Sequence, residues 1–243
     1  MSPYQQTDPR RNDLLAGLSA ESYARLLPDL ESMSLTLGDV LSGNGDKFKY
    51  AYFPDDSIIS MIYKLADGAT VEIAVIGREG MAGVALVMGG ETSPSETLVQ
   101  HTGHGHRLNA AALIREFARG GDFQDALLHF IQALITQTSQ TAVCNRFHTV
   151  EQQLCRWLLL CVDRLPTDQV DMTQELMAMM LGVRREGVTR AVGVLLNANL
   201  VTNHRGYIRI LDRPGVELRT CECYAIVEKA YDRLLAPRTR RAA

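Results

Sequence analysis

The spacing of hydrophobic positions changes twice along the chain and divides it into three parts. Over residues 11–30, leucines recur at helical spacing and predict a short helical lead-in. Between Met33 and Leu108, short β-prone runs alternate with glycine and aspartate turns, as at 50–53, 58–63, 70–76 and 96–101. Strands at this spacing are typical of a β-sandwich or small barrel. From Asn109 onward the helical spacing returns, so the sequence predicts an α+β fold with an N-terminal β jelly-roll sensor domain.

The longest predicted helix runs over 122–145, after the turn at Gly120-Gly121. An amphipathic helix of this length needs a partner surface, because isolated helices are only marginally stable in water. We predict that it forms a dimer seam, since four positions follow the 4-3 alternation of a coiled coil: Leu127, Ile131, Leu134 and Thr138. The alternative is that the helix packs on its own β-domain through Leu128, Phe130 and Ile135. A further helix over 150–165 is apolar nearly all round.

Two short helices separated by Gly182 follow over 172–195. Thr173 is a favoured N-cap for the first helix, and Gly182 provides a sharp turn where a side chain would cost strain. Val188, Val192 and Leu195 give the second helix its own buried stripe. A turn at 203–206 then separates two β-prone runs and predicts a small hairpin. This order is typical of a winged helix-turn-helix, and a closing helix is predicted over 218–235.

Arginines occupy the start of the second helix, against the electrostatic preference of that position. A helix N-terminus is positive and favours acids, yet Arg184 and Arg185 come first, and Arg190 lies away from the apolar face. Guanidinium groups suit guanine edges and phosphates, which accept two parallel hydrogen bonds. Residues 172–219 carry seven arginines and four acids, a net charge of +3 in a chain of −3. This distribution favours a DNA-binding module; ordinary solvated arginines are the alternative.

Length and composition indicate in which cellular compartment the protein is expected. The 243 residues are enough for two modest domains, and no apolar run approaches the ~20 residues that a bilayer span needs. The N-terminus lacks the basic-then-apolar pattern of a secretory signal. The odd number of cysteines, five, indicates reduced thiols. We therefore expect a cytoplasmic protein with no membrane partner.

Two groups of residues could be metal ligands, and neither predicts a site. Cys221 and Cys223 are one residue closer together than the usual C-x-x-C pair, without a second cysteine pair, so plain thiols are favoured. His101, His104 and His106 alternate and could share a metal, but the glycines between them indicate a polar loop. No Ser/His/Asp or paired-carboxylate arrangement stands out. The sequence predicts no metal, no cofactor and no enzyme activity.

The order of these elements resembles that of CRP/FNR-type transcription regulators. The resemblance covers nearly the whole chain. It is most specific at Thr173-Gln-Glu, Leu181-Gly, Arg185-Glu186, Val188, Arg190 and His204-Arg-Gly206, and in the β-domain at Tyr52-Phe-Pro54, Asp67-Gly68, Val71-Glu72 and Gly77-Arg-Glu-Gly80. It implies a cyclic-nucleotide-binding-like β-roll domain over 1–121 and a dimerisation helix over 122–148. A winged helix-turn-helix domain with a closing helix is implied over 149–236, and a disordered basic tail over 237–243.

The resemblance also implies which residues meet DNA. The base-reading positions are those of Arg185, Glu186 and Arg190. The phosphate-contacting positions are those of Thr173, Gln174, Arg184, His204 and Arg205. The implied partners are double-stranded DNA with an inverted-repeat operator, a second copy of the chain, and RNA polymerase.

The chain departs from the cyclic-nucleotide-binding members at two positions. Val84 stands where they carry the glutamate that holds the ribose hydroxyl, and Pro94 where an arginine neutralises the cyclic phosphate. A phosphate without that arginine loses a charge-assisted bidentate pair, so control by cyclic AMP is not expected. The stretch still predicts an effector pocket for an unidentified ligand, lined by Met81, Val84, Leu86 and Ser95. No cysteine precedes Cys144, which argues against the iron–sulfur cluster of the oxygen-sensing members.

The sequence therefore predicts a dimeric, sequence-specific DNA-binding transcription regulator of the CRP/FNR type. The alternative, from a different class, is a jelly-roll small-molecule sensor or enzyme whose C-terminal helices contact proteins. The basic winged segment discriminates between them, because DNA binding through phosphates is lost steeply with added salt.

Overall fold

The computed structural model describes residues 7–90, 92–204 and 206–235. The helical lead-in consists of two 3-10 turns, Pro9–Arg11 and Leu27–Asp29, and two helices, α1 (Asp13–Ala16) and α2 (Ala20–Leu26). Gly17 follows the last residue of α1, and the Ser19 hydroxyl caps α2 by accepting a hydrogen bond from the Ser22 N–H. The helical lead-in predicted from leucine spacing is present and consists of several short segments.

Two antiparallel sheets form the N-terminal domain. One has the order β1–β7–β3 and the other β2–β6–β4–β5. The strands are β1 (Leu30–Leu35), β2 (Val40–Ser42), β3 (Tyr50–Pro54), β4 (Ile58–Lys64), β5 (Thr70–Ile76), β6 (Glu96–His101) and β7 (Gly103–Asn109). Side chains from both sheets, including Phe53, Ile59 and Val99, are buried in one core. The β-domain of the predicted α+β fold is confirmed.

Three helices connect this domain to the C-terminal part: α3 (Ala110–Ala118), α4 (Asp122–Phe147) and α5 (Val150–Val162). Asn109 caps α3 by accepting a hydrogen bond from the Ala112 N–H at 2.9 Å. Gly120 and Gly121 reverse the chain before α4 with φ values of 77° and 78°, which side chains rarely permit. Thr149 and Gln152 form a capping box at the start of α5. No helix among the described residues is long and apolar enough to cross a membrane.

The C-terminal part, as far as the structure describes it, contains a third antiparallel sheet and four helices. Its elements are β8 (Gln169–Val170), α6 (Gln174–Leu181), α7 (Arg185–Asn197), β9 (Val201–His204), β10 (Tyr207–Ile210), α8 (Arg213–Arg219) and α9 (Glu222–Leu235). The sheet has the order β8–β10–β9, so the short strand before α6 joins the predicted hairpin. The predicted closing helix is divided, because Thr220 is extended with φ −77° and ψ 172°. The predicted disordered tail over 237–243 lies outside the described residues.

The long helix α4 packs on its own chain. Leu127 and Leu134 belong to the β-domain core, and Ile131 is also buried at 7% exposure. The predicted seam residues Leu127, Ile131 and Leu134 therefore lie on the wrong face, since side chains already buried within one chain cannot meet a second copy; Thr138 stays a prediction. The Thr138 hydroxyl is half-buried and donates to the Ile135 carbonyl of its own helix.

A different face of α4 is exposed. Leu128 and Ile135 are 50% and 54% exposed, so the alternative contact set was right only for the buried Phe130. Ala142 is exposed on the same stripe, seven residues beyond Ile135. Leu128, Ile135 and Ala142 repeat every seven residues, which is the period of a coiled coil. We call these three residues the outer α4 stripe.

A second core joins the β-domain to the C-terminal part. Ile58, Ile62 and Val75 of the four-stranded sheet are buried in one cluster with α5 and the α6–α7 pair. Gln137 of α4 connects both sides: its side chain accepts from the Val75 N–H at 3.0 Å and donates to the Val75 carbonyl at 3.1 Å and to the Tyr231 hydroxyl of α9 at 2.8 Å. The orientation of α6 and α7 is thus set by contacts with the β-domain.

Candidate nucleic-acid interface

The turn between α6 and α7 is held by Gly182. This residue ends α6 with φ 64°, a left-handed conformation that favours glycine. The following N–H, of Val183, returns to the Ala178 carbonyl at 3.0 Å and closes the helix end. A Cβ built on Gly182 would lie 3.1 Å from Cγ2 of Val71 on β5, so the turn also lies against the β-domain. The helix-turn-helix predicted from the sequence is confirmed.

Helix α7 presents a polar face to solvent. Its buried face consists of Val188, Ala191, Val192 and Leu195. The opposite face is exposed and carries all three residues predicted to read bases, together with one hydroxyl that the sequence analysis did not single out: Arg185, Glu186, Arg190 and Thr189. We call these four residues the α7 outer face.

The arginines of this region are free to meet an anion. Among the described residues, Arg184 and Arg190 form no ion pair, and Arg185 has only a long one, with Nη1 3.9 Å from Oε2 of Glu175. Those two side chains are 64% and 73% exposed, and exposed ion pairs contribute little. A phosphate or a guanine edge can therefore compete for Arg185 at small cost.

Two of the predicted phosphate-contacting residues, Thr173 and Gln174, already form hydrogen bonds within the chain. Thr173 is exposed, but its hydroxyl accepts from the Leu176 N–H at 3.2 Å and caps α6. The Gln174 side chain accepts from the Thr189 hydroxyl at 2.8 Å and so connects α6 to α7. Thr173 therefore fixes the N-terminus of α6, where free backbone N–H groups can meet phosphate.

The wing follows directly after α7. β9 and β10 pair with Tyr207 opposite His204, and the two rings lie 5.2 Å apart. His204 is exposed at the tip, and Gly206 beside it has φ 91°. Arg205, predicted to contact phosphate, lies outside the described residues. The predicted wing is present, with His204 at its end.

The predicted effector-pocket residues are packed inside the β-domain. Met81 and Leu86 belong to its core, and Val84 packs against it. Ser95 is buried, with its hydroxyl 2.7 Å from that of Ser93. Two cavities lie elsewhere: one of about 290 Å³ beside Gly182, and one of about 1080 Å³ between the lead-in helices, α4 and α9. The effector pocket stays a prediction.

The three clustered histidines have separate surroundings. His104 Nδ1 lies 3.4 Å from Asp56, and His106 Nδ1 lies 3.3 Å from Asp55. His101 is partly buried, and burial lowers its pKa. The ring nitrogens of these three histidines do not meet at one point. Among the described residues, one other group of side chains could hold a metal ion.

That other group combines residues that sequence reasoning left apart. Cys144, His148, Cys221 and Cys223 place one ligand atom each within 4.8 Å of one another. Cys144 Sγ is 3.6 Å from Cys221 Sγ, and Cys223 Sγ is 3.6 Å from His148 Nδ1. We call these residues the Cys3His cluster. The available signals were Cys-x-x-x-His at a helix end and Cys-x-Cys, but 72 residues separate the two pairs.

A buried carboxyl group lies at the junction of the two parts. Glu72 of β5 accepts from the Ser60 hydroxyl at 2.7 Å and from the Trp157 indole N–H of α5 at 2.8 Å. Burial raises the pKa of Glu72 from 4.5 to about 7, although these two hydrogen bonds and the charges of Arg156 and Arg164 oppose the rise. The group therefore titrates near neutral pH.

Comparison with known proteins gives one family model and several similar structures. Residues 152–219 match the model of the Crp-like helix-turn-helix domain. The chain is similar to FixK2 from Bradyrhizobium japonicum, with a TM-score of 0.68, 14% identity, and coverage of 79% of this chain and 98% of that one. The c-di-GMP responsive global regulator CLP from Xanthomonas campestris has a TM-score of 0.64 and 15% identity, with coverage of 79% of this chain and 99% of that one. A transcriptional regulator of the CRP family from Thermus thermophilus has a TM-score of 0.65 and 12% identity, with coverage of 77% of this chain and 95% of that one.

The comparison with curated proteins found no significant match. At these identities the solved structures establish the fold, and the matched model establishes the type of the C-terminal domain. The chain therefore carries a Crp-like helix-turn-helix domain and has the fold of the CRP/FNR-type transcription regulators.

Proposed function

We propose that this chain is a sequence-specific DNA-binding transcription regulator that acts as a homodimer. The observation that carries the proposal is the α7 outer face, where Arg185 and Arg190 are exposed at the start of the second helix of a Crp-like domain. Recognition helices of this type place their N-terminal residues against base edges in the major groove. Arg185, Glu186 and Arg190 are the proposed base-reading residues.

The electrostatics support DNA over a protein partner. Arg184 is the N-cap of α7 and makes no side-chain capping hydrogen bond, so it does not stabilise the helix start. A cation at that end opposes the helix dipole, and this cost is offset when a phosphate lies between them. The alternative, in which the C-terminal helices contact proteins, gives no role to these unpaired guanidinium groups.

The outer α4 stripe supports the homodimer. Leu128 and Ile135 are large apolar side chains at an exposed seven-residue spacing, a pattern that is typical of helix pairing. A two-fold dimer presents two recognition helices and predicts an inverted-repeat operator, with half-site centres about 34–36 Å apart.

The β-domain lacks the polar groups through which cyclic AMP would control the protein. Val84 and Pro94 replace the polar groups that a cyclic nucleotide needs, so the proposed regulator is independent of cyclic AMP. An activator must bind the active state more tightly than the inactive one, and these positions offer no source of that difference.

Selection of bound sequences from a random DNA pool tests the proposal. We expect an inverted repeat to be enriched, with affinity that falls steeply with salt. Arg185→Ala should cost about 1–3 kcal/mol on the selected site and relax preference at one base pair per half-site, whereas Arg184→Ala should weaken all sequences equally.

Arg115→Ala is the matched control, because Arg115 is exposed on α3, away from α6 and α7. It should leave DNA affinity unchanged. Failure to enrich any sequence, or equal losses for Arg185→Ala on selected and random DNA, would show that the α7 outer face does not read bases.

A further inference from the structure

The Cys3His cluster has the dimensions of a tetrahedral zinc site. With Zn–S bonds of about 2.3 Å and a Zn–N bond of about 2.0–2.1 Å, tetrahedral angles place two sulfurs about 3.8 Å apart and a sulfur and a nitrogen about 3.6 Å apart. Two pairs in the cluster are both at 3.6 Å, Sγ to Sγ for Cys144 and Cys221 and Sγ to Nδ1 for Cys223 and His148. The remaining pairs lie within 4.8 Å of one another, so the four atoms surround a space that they can close around one ion.

The backbone brings the ligands together from two helix ends. The His148 N–H bonds to the Cys144 carbonyl at 3.0 Å, which sets Cys144 and His148 on one face of the last turn of α4. Cys221 directly precedes α9, and Cys223 lies in its first turn. The site thus lies where the end of the long helix meets the start of the last one.

The surroundings of the cluster fit a closed structural site. Cys144 and Cys223 are fully buried, Cys221 is 5% exposed and the His148 side chain is 13% exposed, so the cluster is largely shielded from solvent. The second ring nitrogen of His148, Nε2, lies 3.4 Å from the Glu222 carboxylate. Histidine ligands of metals commonly donate this second N–H to a carboxylate, which fixes the tautomer and orients the ring.

A buried arginine supplies the matching charge. Arg156 is 3% exposed, and its Nε and Nη1 have no hydrogen-bond partner among the described residues. Its Nη2 donates to the Thr141 hydroxyl at 3.3 Å, three residues before Cys144 on α4, so the guanidinium lies beside the cluster. Three thiolates, a neutral imidazole and Zn²⁺ carry a net charge of −1, which the guanidinium would neutralise.

Other occupants fit less well. The five cysteines are all free thiols, and 3.6 Å between Cys144 and Cys221 is far longer than the ~2.05 Å of a disulfide. An iron–sulfur cluster needs its ligands spread around several irons, whereas these four atoms surround a single point. Soft thiolates with one imidazole in tetrahedral array favour zinc.

We propose that Cys144, His148, Cys221 and Cys223 bind one Zn²⁺ and fasten the end of α4 to the start of α9. Binding replaces the three thiol protons, which pass to water, and changes no oxidation state. The proposal is independent of DNA binding and adds a structural metal to the fold.

Metal titration of the reduced full-length chain tests this proposal. We expect one equivalent of zinc to be retained after gel filtration and one mole of Co²⁺ to give the intense visible and charge-transfer absorption of tetrahedral thiolate cobalt. Cys221→Ser and His148→Ala should reduce zinc retention at least tenfold. Cys161→Ser is the matched control, because Cys161 is also buried but lies outside the cluster.

A surface variant guards against loss of folding. Glu222 is 71% exposed, so Glu222→Gln should fold normally, yet removal of this outer partner should weaken zinc binding about 10–100-fold. Glu228→Gln, exposed six residues further along α9, should leave the affinity unchanged. The proposal is overturned if the reduced chain retains no metal, if cobalt gives an octahedral spectrum, or if Glu222→Gln and Glu228→Gln bind zinc equally. A Cys144–Cys221 disulfide that forms without any zinc affinity in the reduced chain would also overturn it.

Discussion

Replacing Glu72 by glutamine should remove much of the pH dependence of folding. The carboxyl is 6% exposed and accepts hydrogen bonds from Ser60 and Trp157 across the junction of the two parts. Burial raises its pKa from 4.5 to about 7, so the folded chain holds the proton more tightly than the unfolded chain does. Protonated Glu72 therefore makes its full contribution to the free energy of unfolding below about pH 4.5, and this contribution is lost as the pH rises through about 7.

The size of the effect follows from the two pKa values. A shift from 4.5 to about 7 corresponds to about 3 kcal/mol between the fully protonated and fully ionised limits. Between about pH 5.5 and about pH 8, the linkage relation gives a loss of about 2 kcal/mol in the free energy of unfolding. Glutamine keeps the shape and hydrogen-bonding capacity of the neutral acid, so Glu72→Gln should lack this loss.

Urea denaturation at both pH values, for the wild type and Glu72→Gln, measures the difference. Other groups titrate in this range, so the informative quantity is the pH-dependent loss in the wild type minus that in the variant, expected to be about 2 kcal/mol. Glu175→Gln is the control, because Glu175 is 73% exposed and should leave the wild-type pH dependence intact. Equal pH dependence in the wild type and Glu72→Gln would refute the assignment of the shift to this carboxyl.

Four further outcomes are expected. Ile135→Glu should give monomers in light scattering and lose inverted-repeat binding, whereas Leu218→Glu, at an 88% exposed leucine outside α4, should remain dimeric. Calorimetry with cyclic AMP should show no saturable heat, and cyclic AMP should not change DNA affinity; saturable micromolar binding would contradict the roles given to Val84 and Pro94. Gly80→Ala should lower the free energy of unfolding by about 1–3 kcal/mol, because its Cβ would collide with the Phe130 ring. A Cβ built on Gly193 of α7 has no atom within 4 Å, so Gly193→Ala should raise the free energy of unfolding by about 0.8–1 kcal/mol in the same urea denaturation.

Local patterns predicted the elements of this fold well. Strands β3 to β6 and helices α4 to α7 lie within a few residues of their predicted positions, because β-branched runs, capping residues and turn glycines act over short distances. The exposure of Arg185 and Arg190 also followed from the sequence pattern, since Val188 and Val192 define the buried side of the same helix.

Features that depend on contacts distant in sequence were harder to predict. The seam on α4 was placed on the wrong face because hydrophobic spacing shows that a face is buried but not which surface buries it; Leu127 and Leu134 meet the chain's own β-domain. Cys144 and Cys221 looked like ordinary thiols because only the packing of α4 on α9 brings them together. The buried hydrogen bond of Glu72 likewise joins residues 85 positions apart, because its donor is Trp157 of α5.

The shared core of Ile58, Ile62 and Val75 with α5 and the α6–α7 pair bears on how new binding specificities can arise. A regulator whose domains touch only through a linker can exchange its DNA-binding domain as a module. Here a chimera joined at residue 149 would expose apolar surface on both sides and leave Glu72 without its Trp157 donor. Specificity is therefore expected to change by single substitutions on the α7 outer face, and transplanted domains should fold only with their own β4 and β5.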